Sequence, residues 1–192
     1  MFLDIKLGLL WAFLVGLFFE QTLTPLWICA GVVFALLPDI DFWIEYIERG
    51  TVGGKTIGAH RTFLHNPLPY IPVSILIGML YGPAWMTLFV LGVFGHFAHD
   101  LSGMGYGIRL LWPFSQRWYK LFSGKDGEIH YTFDHFIVSW SPQEMKTLVA
   151  DRGNDNWIKE EFRYMYSHRF TIFLKLLATL IGIAALVAIL PL

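Results

Sequence analysis

Apolar residues gather in five runs, at about 5–19, 23–37, 68–82, 84–98 and 170–192, with polar stretches between them. The last run, "FTIFLKLLATLIGIAALVAILPL", has the ~20 apolar residues that carry a helix across a bilayer core. The first four are shorter; counted to their interfacial ends, each reaches roughly 17 residues, the lower limit for spanning. All five are predicted helices. In the polar piece at 38–67, Phe42, Trp43, Ile44 and Ile47 predict a short amphipathic helix ended by Gly50. The longer polar region, 99–169, predicts several short helices and turns, with "DRGNDN" (151–156) as a loop. The expected fold is therefore all-α: a polytopic helical membrane protein with about five apolar helices and a helical polar region. Residues 1–192 form one membrane-embedded domain in this reading.

Composition agrees. The chain is 55% hydrophobic and only 15% charged, with mean hydropathy +0.52, which sets it apart from soluble domains at ~25% charged. The net charge of −1 supplies no basic field for nucleic acid. Cys29 is the single cysteine, so neither an internal disulfide nor a thiolate zinc site is available. The N-terminal run reads as a retained helix rather than a cleaved signal, because Asp4 weakens the basic n-region and no A-x-A-like site follows.

Charge sets the orientation. If all five runs span, residues 1–6, 38–67 and 99–169 share one side of the membrane. Of the 14 Lys and Arg, all but Lys175 lie there, and Lys175 sits in the first turns of the last helix, near that side. By the positive-inside rule that side is the cytoplasm, and the chain is a multi-pass protein of the inner (cytoplasmic) membrane.

Four polar motifs fall on that same side: "LPDID" (37–41), "HRTFLH" (60–65), "HFAHD" (96–100) and "EIHYTFDH" (128–135). On a helix His96 and Asp100, four apart, share one face and can share a divalent ion. His99 can join that face. Taken alone, the pair reads rather as a polar helix end at the lipid headgroups. Asp39 and Asp41 suit helix capping, but a second carboxylate beside a membrane helix end is costly without a cation. His60 and His65 bracket Arg61, a natural partner for phosphate or for one of the aspartates. Histidine plus carboxylate without thiolate suits zinc, with manganese or iron as alternatives. "GGKT" (53–56) is no P-loop, since the required first glycine is Arg49; a glycine loop carrying Lys55 is the better account. Glu128, His130, Asp134 and His135 are open either to a second metal or to simple solvation.

"LPDID", "HRTFLH", "HFAHD" and "LLWPF" (110–114), in this order across residues 25–115, resemble the YdjM-like family of inner-membrane predicted metal-dependent hydrolases. The resemblance implies a site built from Asp39, Asp41, His60, His65, His96 and Asp100, with His99 outside the shared pattern. A more distant likeness is to the helical fold of zinc-dependent phospholipase C and P1 nuclease. The expected function is metal-dependent hydrolysis of a phosphoester such as a phospholipid or related lipid phosphate, with Arg61 and Lys55 offsetting phosphate charge. The alternative is a non-enzymatic scaffold or partner-binding protein with a structural metal site. A transporter is disfavoured, because the apolar runs hold almost no ionisable residues.

Overall fold

The computed structural model describes residues 2–160 apart from 59, 63 and 104. The predicted helix at 170–192 lies outside the described residues. The first four apolar runs are helices: α1 (Phe2–Phe18), α2 (Pro25–Leu36), α4 (Tyr70–Tyr81) and α5 (Pro83–Ser102). Between α2 and α4 lies α3 (Ile40–Arg49), the predicted amphipathic helix. Gly50 closes it with φ 69°, a left-handed turn that glycine adopts without strain. Thr24 opens α2 by accepting the Trp27 N–H at 3.2 Å, and Pro25 takes the first helical position. A 3₁₀ turn, Leu37–Asp39, joins α2 to α3, and Pro25–Arg49 reads as one helical stretch of 25 residues. Among the described residues this stretch alone is long and apolar enough to cross a membrane, so the structure does not bear out five spans.

The described residues are mostly helical, as expected, with one departure from all-α. The polar region holds a two-stranded antiparallel sheet, β1 (Trp118–Leu121) and β2 (Ile137–Trp140), followed by α6 (Pro142–Arg152). The strands are short and rich in aromatic and β-branched residues, and burial alternates along them with the period of two that a sheet imposes. Trp118 pairs with Trp140, and both join Val138, Met145, Leu148 and Val149 in a small core beneath α6. Ser141 and Glu144 form a capping box that starts α6. Of the predicted loop "DRGNDN", Asp151 and Arg152 close α6 and residues 153–156 form the turn that follows.

α5 is the central element and packs against α1, α2 and α4. Its buried stripe descends at four-residue spacing through Ala84, Leu88, Gly92, His96 and Asp100. A Cβ on Gly92 would meet Phe34 Cβ at 3.0 Å and the Ala35 nitrogen at 3.1 Å, so α2 and α5 approach backbone to side chain there. Gly92→Val is expected to push the two helices apart and destabilise the protein by about 1–3 kcal/mol. Gly78→Ala faces only the Met86 side chain and is expected to be nearly neutral. Unfolding midpoints in detergent check both.

The outer faces of the apolar helices are bare. Phe18, Leu26, Met79 and Leu80 are 65–81% exposed. α2, α4 and the part of α1 beyond Lys6 are apolar around their whole circumference, the pattern of a helix surrounded by core or by hydrocarbon. α3 is turned the same way round: Trp43, Ile44 and Ile47 point outward while Asp41 and Glu45 are buried.

Candidate metal centre

Three chain segments bring their polar groups together at one end of the helices. The Pro25–Arg49 stretch contributes Asp39 and Asp41, the loop before α4 contributes His60, Arg61 and His65, and the last turns of α5 contribute His96 and Asp100. His65 and His96 are 0% and 2% exposed.

Four atoms converge. His65 Nε2 lies 3.3 Å from His96 Nε2. Asp100 Oδ2 lies 3.2 Å from His65 Nε2 and 3.4 Å from His96 Nε2. Asp39 Oδ1 stands 3.6 Å from each of the same two nitrogens. Donor atoms around a tetrahedral ion with bonds of about 2.1 Å stand about 3.4 Å apart. Each of these five separations is close to the edge of a zinc-sized tetrahedron.

The outer nitrogens fix which ring nitrogen carries a proton. His65 Nδ1 donates to Asp41 Oδ2 at 3.1 Å, and His96 Nδ1 donates to the Ala35 carbonyl at 2.9 Å. Ala35 lies in the last turn of α2, where carbonyls lack helical partners, and the close approach at Gly92 delivers it to His96. Both Nε2 lone pairs thus face the same point, together with carboxylate oxygens. Asp100 Oδ2 is buried, and neither nearby nitrogen satisfies hydrogen-bond geometry with it. With both rings neutral these lone pairs would meet head-on; a ring proton or a metal ion between them relieves this, and the donor set suits a divalent metal ion. Three buried or half-buried groups in this cluster (Asp39–His60–His65, His65–His96–Asp100 and Asp4–Asp39–His96) each hold their donor atoms within 4.8 Å of one another.

Electrostatics point the same way. Burial lowers the His65 pKa, but the carboxylates of Asp100, Asp39 and Asp41 outweigh it and push the value up to about 10. In the ion-free protein this contributes stability below the unfolded value of 6.5, lost as pH rises through about 10. A metal must displace that proton. Zinc binding at pH 7 is therefore expected to release at least one proton per ion, and apparent affinity should climb with pH. Calorimetry in buffers of different ionisation enthalpy measures the release; binding without it would contradict the assignment. Asp100 is held well below the usual carboxylate range: burial opposes this, but the Arg61 charge and the two imidazoles prevail. Burial, with the charges of Arg61 and His65, outweighs the Asp41 bond and lowers the His60 pKa, so that ring stays neutral.

Arg61 donates to Asp100 Oδ1 at 2.7 Å and sits at the rim, its side chain 20% exposed. It holds a left-handed backbone at φ 63°, a conformation that costs a non-glycine residue free energy and here aims the guanidinium at the cluster.

A family model described as the YdjM inner membrane protein matches residues 5–189. The chain belongs to the YdjM inner membrane protein family. The match extends well past residues 25–115, over which the sequence motifs carry the resemblance. No curated protein and no solved structure matches the chain. Membership makes this a protein associated with the inner membrane, in keeping with its bare apolar helices.

Within this YdjM chain the sequence-predicted residues divide by position. Asp39, His65, His96 and Asp100 supply the converging atoms. His60 stands beside them, its ring centroid 4.7 Å from that of His65. Asp41 lies one layer out, its Oδ1 accepting from His60 Nδ1 at 3.0 Å and its Oδ2 from the Leu64 N–H at 3.2 Å as well as from His65. Lys55 is not brought to the cluster: its side chain is exposed and its backbone N–H bonds Asp155 Oδ1 at 2.9 Å. The glycines at 53 and 54, both with positive φ, turn that loop toward residues 153–155 instead. Glu128, His130 and Asp134 are exposed and His135 half-buried in the connection between β1 and β2.

Two buried carboxylates escaped the sequence reading. Glu45, fully buried, accepts the Gly53 N–H at 2.7 Å and the His60 N–H at 2.6 Å and pairs with Arg49, holding the loop that delivers His60 and Arg61. Its four-residue spacing from Asp41 was the available signal. Asp4, also fully buried, meets His99 and His96 from α1.

Proposed function

We propose that this protein is a membrane-bound metal-dependent hydrolase acting on a phosphoester, such as a phospholipid or related lipid phosphate. The observation that carries the reading is the convergence of His65, His96, Asp39 and Asp100 beside a rim arginine. These four residues would hold the ion, with zinc favoured by the donor types and spacing. His60 would complete a second position with Asp39 and His65. Asp41 orients His60 and His65 through their Nδ1 atoms. A divalent ion in such a site polarises a phosphoryl oxygen and lowers the pKa of a water it holds to about 7. Arg61 would bind the phosphate and offset its growing charge.

We place residues 1–192 in one domain, with the apolar helices in the bilayer and the cluster at cytoplasmic headgroup depth. The bare apolar faces and the one-sided Lys and Arg support this arrangement. In a Cys29→Ser background, Lys125→Cys should resist a membrane-impermeant maleimide in spheroplasts, while Glu20→Cys should label. Reversed labelling would overturn the orientation.

A structural staple is the rival reading, favoured by the burial of both imidazoles and by a four-donor set of the kind that closes a zinc site. The enzyme reading draws on the partly exposed flank, where His60 and Arg61 reach solvent. Hydrolysis assays decide between them. Purified protein with zinc or manganese is expected to turn over at least one member of a phospholipid and phosphodiester panel, and a chelator should abolish it. No turnover with any divalent ion would leave the staple.

A further inference from the structure

We propose that Asp4 is a positioning residue for His96, acting from the N-terminal helix; the inference rests on the metal-site reading above. Asp4 lies in the first turn of α1, where an acid is favourable for the helix dipole. That role needs no burial, yet Asp4 is 0% exposed at the base of a helix whose one other charged residue is Lys6. A buried carboxylate is costly unless it is paired and hydrogen-bonded. Its Oδ1 accepts from His99 Nδ1 at 3.0 Å and lies 3.3 Å from His96 Nδ1.

The His96 N–H therefore points between two acceptors, the Ala35 carbonyl from α2 and the Asp4 carboxylate from α1. Asp41 does for His65 what Asp4 does for His96: each carboxylate holds the Nδ1 side of a ring whose Nε2 faces the converging atoms. Asp4, Asp39 and His96 also fall within 4.8 Å of one another. Because His96 Nδ1 is already donating, Asp4 orients this ring rather than sharing an ion with it. A carboxylate so placed fixes the ring and raises the basicity of the far nitrogen, and losing such a partner commonly weakens metal binding about 10–100-fold. The pairing also ties α1 to α5 at the depth of the site, so His96 is correctly set only once α1 has docked.

Zinc affinity is the readout, measured on the full chain in detergent by competition with a chromophoric chelator. Wild type, Asp4→Asn and Asp4→Glu are compared, with unfolding midpoints taken in the absence of zinc. The expected order of affinity is wild type, then Glu, then Asn, with Asn weaker by about 10-fold or more. A space-filling role predicts the opposite order, because Asn is isosteric and Glu is not. Asn binding within twofold of wild type, or Glu weaker than Asn, would overturn the inference while leaving the metal site standing. Wild-type protein that binds no zinc would overturn the metal-site reading itself, a result distinct from either of those.

Discussion

Asp41→Ala is expected to destabilise the zinc-free protein by about 3–5 kcal/mol, the range for removing one partner from a buried charged network. Asp41 is 1% exposed and accepts from the His60 ring, the His65 ring and the Leu64 backbone. Truncation strands all three donors, two of them on buried imidazole rings. It also frees both rings to rotate, so metal retention should fall with stability. Asp41→Asn keeps the volume but trades an acceptor oxygen for a donor that faces one of these N–H groups, so it should recover little. Unfolding in detergent with chelator present measures the loss. A change below about 1 kcal/mol, the size of an ordinary surface effect, would show that Asp41 organises nothing.

Arg61→Ala is expected to lower kcat/KM for the phosphoester substrate by about 10²–10³-fold while leaving bound metal unchanged. Its guanidinium bonds the Asp100 oxygen that lies outside the converging set, so removing it leaves the four donor atoms in place. Arg61→Lys should recover only part of the loss, since an ammonium restores the charge without the planar fork that matches a phosphate. Loss of metal together with activity would instead mark Arg61 as a structural prop for Asp100.

Hydropathy alone places α1, α2, α4 and α5, because each is a long apolar run bounded by turn residues. The hairpin was hidden. Its strands are four residues each, too short for a period of two to stand out from the aromatic residues around them. Motif spacing located His65, His96, Asp39 and Asp100, since residues at the ends of consecutive apolar helices meet on one side. Spacing could not separate the atoms that converge from the layer that orients them. Asp41 differs from Asp39 only by where the 3₁₀ turn gives way to α3, and that turn is not legible in "LPDID". Asp4 lies 95 residues from His99, and nothing local marks it as more than a first-turn acid. Lys55 is near the site in sequence, but its exposed side chain and its backbone bond to Asp155, 100 residues on, are not legible from "GGKT".

The central claim is that His65, His96, Asp39 and Asp100 hold a metal ion. It is tested most directly by metal analysis of the purified protein, wild type against the double variant His96→Ala with Asp100→Ala. Near-stoichiometric divalent metal, zinc foremost, is expected in the wild type and almost none in the double variant. Equal and negligible metal in both, after purification without chelator and reconstitution with zinc, would contradict it.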